Sequence, residues 1–600
     1  VEKKAANVLI VLAYPPSDVP AAASGNIIFR ADLAEASADT VARVLGALKP
    51  DVLITRSAVA PAALAAWRAA RPDAPLLVVD VGIVGDATRG GPADDDGGHR
   101  GIAHRRANDA IGALRIAERT WNEAVSTAPP ARPSTKRSVT LVGGGIVNLV
   151  TALHLVRHGY EVALYDSAPD PRDNAHWTTY GCTRGGGDGR MFTLTEADSY
   201  NSWAWRPGRT SNDLLGRPIS EDGWLLKRND LLEPERRWAD NFHRIPRWLA
   251  DSYNDDIFAV NRAAEVRWAG LIDSDPGLFD DSTGYREGVL RLYTEANYFR
   301  WHVARNNRVG ATRHVLTPSQ VRAGYPALED ACADGTVAGG IEVGGFTVNI
   351  HNFVAQIVDM LELKGVQLHW NTPVTGIQWF ASGIADGIET TAGVVRSHHY
   401  VLSPGAYGDE LLRGTASHGR IQGMLGVWLT APNIEPRLEN SVKIARMGHR
   451  AEETNVTLAT DECGEPTLIC GAGYGWTGLD PGNIDSVELD VLFDALEDTL
   501  RRFFPKAYAA ARAEGTLHAS RRLCVRPWTA SCLGVFERVE TIGGGTLIVT
   551  GGHNTGGFTQ SPVVAEAVLA AFEGREHPMH TRYHPRRLER FYGGATRVAE

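Results

Sequence analysis

The sequence predicts an α/β protein built in several parts, and three observations carry that reading. Residues 1–126 alternate strand-like and helix-like runs. A stretch of Pro, Ser and Ala, "STAPPARPSTKR", comes next and sets a linker at 127–137. Directly after it, "SVTLVGGGIVNLVTALHLVRHGYEVALYD" (Ser138–Asp166) reads as a strand, a glycine turn, a helix and a second strand ending in an acid. A chain of 600 residues with 43% hydrophobic content is long enough for roughly three or four domains.

In the first unit, "NVLIVLA" (Asn7–Ala13), "NIIF" (Asn26–Phe29), "DVLITRS" (Asp51–Ser57) and "PLLVVDV" (Pro75–Val81) are short, β-branched and bounded by turn residues. They read as strands. "ADTVARVLGALK" and "PAALAAWRAA" carry apolar residues at helical spacing between them. Strands separated by helices of this length imply a small parallel sheet with helices on its faces. "AHRRANDAIGALRIAERTWNEAV" (Ala103–Val125) reads as one long amphipathic helix closing the unit, and "GDATRGGPADDDGGHRG" (Gly85–Gly101) as a mobile loop. No phosphate loop is found here, so a structural or oligomerisation role is expected.

The unit after the linker has the parts of a dinucleotide site. Gly143 allows the tight turn, and Gly145 lets a pyrophosphate approach the backbone. The helix that follows, opening at Ile146 and Val147, presents free N–H groups to the phosphates. Asn148 stands where the third glycine of the fingerprint permits close helix–strand packing. It is expected to strain the helix without loss of phosphate contact. Asp166 ends the second strand, with Ser167 behind it, where an acid bonds a ribose hydroxyl and disfavours a 2′-phosphate.

The far end of the chain decides which dinucleotide is expected. "GTLIVTGGHNTGGFTQSPVVAEAVLAAF" (Gly545–Phe572) reads as a strand, a glycine-rich turn and a helix opening near Ser561 and Pro562. A second glycine-rich helix start fits FAD, a long ligand gripped from both ends of the sequence. Its positive terminus would face the flavin edge where negative charge gathers on reduction.

These motifs carry a family resemblance. With "GVQLHWNTPVTGI", "HHYVLSPGAYGDELL" and "CVRPWTAS" between them, residues 138–575 resemble the D-amino-acid oxidase, glycine oxidase and sarcosine oxidase superfamily of FAD enzymes. The first unit, chiefly through "KPDVLITRSAVAP", resembles the flavodoxin-like outer domain of D-2-hydroxyacid dehydrogenases. The resemblances imply an N-terminal flavodoxin-like parallel-sheet domain. After it comes a Rossmann-type FAD-binding domain interleaved with an α+β substrate domain on a mainly antiparallel sheet. The FAD-binding pieces are set at 138–225, 340–410 and 520–600, and the substrate pieces at 226–339 and 411–519.

Carried over by position, the resemblance puts Val374 on the adenine side and Gly405 beside the pyrophosphate. Gly552, His553, Gly557, Phe558 and Thr559 fall along the isoalloxazine. The segment "GCTRGGGDGRMF" (Gly181–Phe192) matches the flavin-facing loop of the sarcosine oxidase branch, with Thr183 and Arg184 on the cofactor and Arg190 as a flavin-proximal arginine. In "LCVRPWT", Arg526 stands where D-amino-acid and glycine oxidases grip the substrate carboxylate. A guanidinium fork suits that task, because it holds a carboxylate bidentately. The alternative carboxylate clamp of the sarcosine oxidase branch is missing, its positions being Thr193 and Thr559. Cys524 aligns with the cysteine that tethers flavin covalently in that branch, a second option beside non-covalent FAD. Tyr474 and Trp476 in "LICGAGYGWTG" are candidates to line the pocket, as is the Trp-rich tract "SWAWRPGRTSNDLLGRPISEDGWLLKRND".

The implied reaction is oxidation of a C–N bond in an amino acid or secondary amine bearing a carboxylate. Hydride passes to flavin, which dioxygen reoxidises with release of peroxide unless a protein or quinone acceptor takes the electrons. Two alternatives stay open: a flavin hydroxylase using NAD(P)H, against which "GGHNTGG" lacks the Asp typical of such enzymes, and a non-catalytic flavoprotein scaffold. A net charge of −10 argues against a nucleic-acid partner. No apolar run approaches the roughly 20 residues that cross a bilayer, and no metal is expected. Six cysteines without a CxxC pair read as reduced thiols in a cytoplasmic enzyme. Assembly into a homo-oligomer is an option left open.

Overall fold

The computed structural model describes residues 5–13, 26–56, 58–82, 102–125, 136–197, 200–201 and 213–593. The loop at 85–101, most of the linker and the first part of the Trp-rich tract lie outside the described residues.

The N-terminal unit is a five-stranded sheet with every pairing parallel. Its order is Ile27–Phe29, Val8–Val11, Val52–Thr55, Leu76–Val81, Ile102–Ala107. The central strands are wholly buried, as continuous β-branched runs predict for a sheet covered on both faces. One element departs from the sequence expectation. The helix Ala110–Val125 starts seven residues later than read, and Ile102–Ala107 before it is the fifth strand. Only the two ends of that strand are buried. His104, Arg105 and Arg106 guard an open sheet edge, so the period-2 apolar signal is missing.

A six-stranded sheet begins at Ser138. Its order is Gln367–His369, Glu161–Tyr165, Ser138–Val142, His399–Leu402, Thr546–Gly551, Val535–Glu540, parallel except for the last pair. Each parallel pairing here joins segments far apart in sequence or bridged by a helix, which is why the unit is discontinuous. The helices Ile146–Arg157 and Gly557–Phe572 pack against each other beside it, burying nearly every side chain of the second.

The second large sheet has nine strands. Its path is Thr312–Leu316, Gly339–Thr347, Arg286–Tyr293, Val442–Ala445, Glu453–Thr460, Pro466–Gly478, Ile421–Pro432, Arg522–Thr529, with Met191–Thr193 added on Gly339–Thr347. Only the Val442–Ala445 pairing with Arg286–Tyr293 is parallel. Met191–Thr193, Arg522–Thr529 and all but the first residue of Gly339–Thr347 fall within the cofactor pieces set by sequence, and they run in this sheet. The chain crosses between the sheets in mid-segment without a linker, so composition gives no sign of the boundary.

The N-terminal unit is docked on the body. Asn26 Nδ2 donates to the carbonyls of Ala6 and Phe591, both at 2.6 Å, and the Trp121 indole donates to Arg590 O at 2.9 Å.

Candidate active site

The glycine turn is built as its sequence requires. Gly143 has φ +98°, and a Cβ there would run into the Ser403 carbonyl. A Cβ on Gly144 would lie 2.6 Å from the Trp370 ring, whereas one on Gly145 would meet nothing. Gly145 is the N-cap of Ile146–Arg157 and offers no side-chain cap. The first N–H groups of the helix, at Ile146 and Val147, therefore take no side-chain cap and carry the positive end of the helix dipole. Asp166 accepts from the Gly144 N–H and from the Ala168 N–H (2.6 Å), which fixes its carboxylate at the turn. Thr372 N–H donates to Asp166 O at 2.8 Å, bringing the strand from Val374 alongside. Gly405, at φ +69°, opens a short turn two residues beyond Ser403.

Asn148 is not the packing defect that the sequence suggested. It is fully buried, and its Nδ2 donates to Val142 O (2.8 Å) and Gly143 O (2.9 Å). The residue in the third-glycine position thus binds the turn to its own helix.

The C-terminal glycine turn lies against the strand that carries Arg526. Asn554 N–H donates to Pro527 O at 3.1 Å, and Thr529 N–H donates to Asn554 Oδ1 at 3.3 Å. Gly552, at φ +64°, packs so close to Thr529 that a Cβ would sit 2.6 Å from its methyl. His553 is buried, its Nε2 is 3.3 Å from the Thr550 hydroxyl, and burial pushes its pKa down to about 4, so it is neutral at ordinary pH. The helix starts at Gly557, four residues before the expected opening at Ser561. Pro562 falls inside it, and the Phe558 carbonyl that Pro562 cannot bond accepts from the Ser561 hydroxyl at 2.9 Å.

Strand alternation puts Cys524, Arg526 and Trp528 on one face of the large sheet, while Leu523 and Val525 pack into the apolar layer behind. Arg526 Nη2 donates to Gly473 O at 2.6 Å, and its guanidinium carbon lies 5.2 Å from the centre of the Tyr474 ring. A Cβ on the neighbouring Gly426 would collide with the guanidinium. Tyr474 belongs to a cluster with Tyr200, Trp224 and Trp528, at centroid distances of 5.3, 5.0 and 5.6 Å. Tyr474 Oη donates to Tyr200 Oη at 3.4 Å, and Tyr200 Oη lies 3.1 Å from the Thr555 hydroxyl. This links the Arg526 face to the C-terminal glycine turn. Burial pushes both phenols well above their ordinary pKa.

The loop Gly181–Phe192 folds over the same face, and Trp428 Nε1 donates to Gly186 O at 2.9 Å. Arg190 is 3% exposed and spends its guanidinium on the protein: Nε on Asp188, Nη1 on Leu458 O (3.2 Å) and Nη2 on Tyr180 O (3.3 Å). It shapes the loop and has little left for a ligand. Gly187 N–H donates to the Thr183 hydroxyl at 2.9 Å, and Arg184 Nε is buried without a partner. Around Cys524, burial and Asp188 raise the thiol pKa while Arg526 and Arg522 lower it, and the balance lies above the ordinary value.

Four expected residues are placed differently. The Phe558 ring is in the aromatic core, 5.0 Å from Trp268 and 5.7 Å from Phe353. The Thr559 hydroxyl points at Met191 O, 3.4 Å away, in full burial. Ser167 is exposed at the edge of the turn. Trp476 lies behind Tyr474, stacked on Trp238 at 5.7 Å. Sequence reading missed Tyr200, Thr555, Trp528 and Asp188. Only Asp188, two residues from Arg190 in a glycine-rich loop, carried a signal.

These residues fit an FAD. Two glycine turns meet there, each opening a helix without a side-chain cap. On the strand bonded to the second turn, Arg526 Nε and Trp528 Nε1 are buried without hydrogen-bond partners, a cost that a bound polar ligand relieves. Among the described residues no group of His, Cys, Asp or Glu could hold a metal ion, and no helix is long and apolar enough to cross a membrane.

Comparison with known proteins agrees. A D-amino acid dehydrogenase of Methylobacterium sp. strain 4-46 is 25% identical over 423 residues, covering 66% of this chain and 92% of the relative. One from Paramagnetospirillum magneticum is 27% identical over 281 residues, covering 44% of this chain and 60% of the relative. Among solved structures, glycine oxidase from Bacillus cereus is 15% identical with a TM-score of 0.48, over 78% of this chain and 100% of its own. The amino acid oxidase of nikkomycin biosynthesis is 17% identical with a TM-score of 0.49, over 75% of this chain and 98% of its own. The family model of FAD dependent oxidoreductases, DAO, matches residues 138–571, from the first strand of the glycine turn almost to the end of the helix Gly557–Phe572. Over those residues, well beyond half its length, the chain belongs to the DAO family of FAD-dependent oxidoreductases.

Proposed function

We propose that the enzyme oxidises the C–N bond of an amino acid or secondary amine that carries a carboxylate. The observation that carries this is Arg526, with a buried unpartnered Nε, on a strand hydrogen-bonded to the C-terminal glycine turn. Its fork would take the substrate carboxylate, releasing Gly473 O. Tyr474 and Trp528 would close around the chain of the substrate and exclude water. Held at the carboxylate, the substrate keeps one Cα–H orientation, and orientation replaces a strong base. When bound, FAD supplies the two-electron acceptor for the hydride leaving Cα. The amine nitrogen loses a proton to solvent, and the imine product is hydrolysed by water to a carbonyl compound and an amine or ammonia.

In this reading Gly143, Gly145, Ile146 and Val147 hold the pyrophosphate and Asp166 the ribose, with Val374 and Gly405 beside them. Gly552, His553 and Gly557 face the flavin through the turn backbone, and Thr183 and Arg184 cover it from the loop. Arg190 acts by shaping that loop. FAD is held non-covalently, because a raised Cys524 pKa disfavours the thiolate. Dioxygen is the first re-oxidant to test. The likeness of this chain to two D-amino acid dehydrogenases supports an amino-acid substrate and keeps a second acceptor in play. The N-terminal unit is read as flavodoxin-like, on a strand order of second, first, third, fourth, fifth.

The test is anaerobic mixing with a panel of amino acids and N-alkyl amino acids, followed by flavin absorbance. Bleaching by a carboxylate-bearing amine supports the proposal. Bleaching by NADPH alone, or by amines equally well without a carboxylate, overturns it. Admitting air to the reduced enzyme and measuring peroxide, against reoxidation by a quinone analogue, assigns the acceptor.

A further inference from the structure

We propose that Asn148 is a positioning residue for FAD, a staple that holds the glycine turn in its binding-competent shape before the cofactor arrives. The inference rests on the reading that the pyrophosphate sits on this turn. Where the fingerprint has glycine, Asn148 puts an amide inside the fold, fully buried. Its Nδ2 donates to the last carbonyl of the strand, Val142 O, and to the first of the turn, Gly143 O, at 2.8 and 2.9 Å. The Oδ1 end has no partner. Burying an unpartnered carbonyl oxygen is costly, and glycine or alanine would avoid that cost, so the two donated bonds are what the position gains.

At Gly143 it is the carbonyl that this bond holds. The residue sits at φ +98°, its own N–H donates to Tyr165 O at 2.9 Å, and Val142 O also accepts from Ser403 N–H at 2.9 Å. Apart from Asn148, the described contacts leave Gly143 O without a hydrogen bond from the helix that follows. A glycine turn held by few contacts samples many conformations. The apparent dissociation constant is the intrinsic one divided by the fraction of turns that are competent. The staple removes that penalty from the binding step. It turns an apparent defect in the fingerprint into a chain-specific device, and it predicts that restoring the glycine makes binding worse.

Flavin-stripped protein is titrated with FAD by flavin fluorescence, and with ADP as competitor, for wild type and for Asn148→Gly, Asn148→Ala and Asn148→Asp. Loss of two buried hydrogen bonds weakens FAD binding by about tenfold or more in the Gly and Ala variants. ADP, which reaches the turn without a flavin, weakens by the same factor. Asn148→Asp keeps the shape while setting a carboxylate against two carbonyls, and weakens binding most. Melting of the stripped protein identifies any variant that fails to fold, and the proposal is then judged on the variants that do. Asn148→Gly binding FAD as tightly as wild type, or more tightly, overturns it, as does a loss of FAD affinity with ADP affinity unchanged. Gly145→Val tests the underlying reading separately. Normal FAD binding by that variant would show that the turn is not the pyrophosphate site, whatever Asn148 does.

Discussion

Arg587 grips Glu118 with both arms of its guanidinium, Nε to Oε1 and Nη2 to Oε2, each at 2.8 Å. Both residues are buried, and a third arm reaches Asp256 at 2.7 Å. Glu118 lies on the last helix of the N-terminal unit, Arg587 in the C-terminal helix Arg587–Tyr592 and Asp256 in the long helix Arg247–Ser274. One arginine therefore joins the extra domain to two elements of the flavoprotein body. Such a pair is weak evidence for net stability, since desolvation offsets its attraction, but breaking one side leaves a buried charge uncompensated.

Asp256 still faces Arg587 when Glu118 is removed, so Glu118→Ala should cost about 1.5–3 kcal/mol, the scale of lost hydrogen bonds to a charged group. Denaturant unfolding of the holoenzyme measures this. A cost under about 1 kcal/mol, the range of exposed pairs, would mean that the two parts are not joined through this contact.

Substitution of Arg526 separates binding of substrate from binding of cofactor. Arg526→Ala should lower kcat/KM by roughly a hundredfold or more, the scale of a lost charge-assisted bidentate pair. It should leave the flavin spectrum of the purified protein unchanged. Arg526→Lys keeps the charge and loses the fork, so it should recover only part of the activity. Steady-state kinetics with the best substrate from the amine panel decides, and unchanged kinetics in both variants would remove Arg526 from the site.

The parts legible in sequence are those whose signal is local. The glycine turn, its helix and Asp166 obey short-range rules of backbone conformation, and they fold as read. The start of the Ala110–Val125 helix was missed because the edge strand before it is charged and exposed, and edge strands lack alternation. Asn148 was misread because the fingerprint records what fits the position and says nothing of what a side chain there can bond. Tyr200, Trp528 and Thr555 were invisible for a different reason. Their contacts with Tyr474 and with each other span tens to hundreds of residues, and only tertiary pairing brings them together. Arg190 shows the converse, a residue located by motif whose donors are consumed by Asp188, Leu458 and Tyr180.

The environment of Cys524 gives a third prediction. Burial is the largest influence on its thiol, and Asp188 adds to it, against Arg526 and Arg522. A thiol held above its ordinary pKa is a poor nucleophile at neutral pH, and covalent attachment to flavin needs the thiolate. Acid precipitation should therefore leave the yellow colour in the supernatant, and Cys524→Ser should retain FAD. A yellow pellet from wild type, lost in Cys524→Ser, would establish the tether.

The buried histidines set how stability depends on pH. Burial pushes His553 to about 4 and His399 and His580 to about 3, against an ordinary value near 6.5. His580 is held in its neutral form by geometry as well: its Nε2 lies 2.9 Å from Ala567 O, and its Nδ1 accepts from His577 N–H at 3.3 Å. The unfolded chain takes up these protons near pH 6.5, whereas the folded protein refuses them until about pH 4 or 3. Their contribution is thus complete above pH 6.5 and is lost as pH falls through that window, by about 2 kcal/mol per histidine at pH 5. Glu537 and Asp188, whose pKa values burial raises, protonate more readily when folded and so act in the opposite direction. The melting temperature should fall steadily from pH 7.5 to pH 5, and His580→Gln, which cannot titrate, should fall less steeply. A flat profile for wild type, or equal slopes for the two proteins, would show that His580 is not held neutral in the fold.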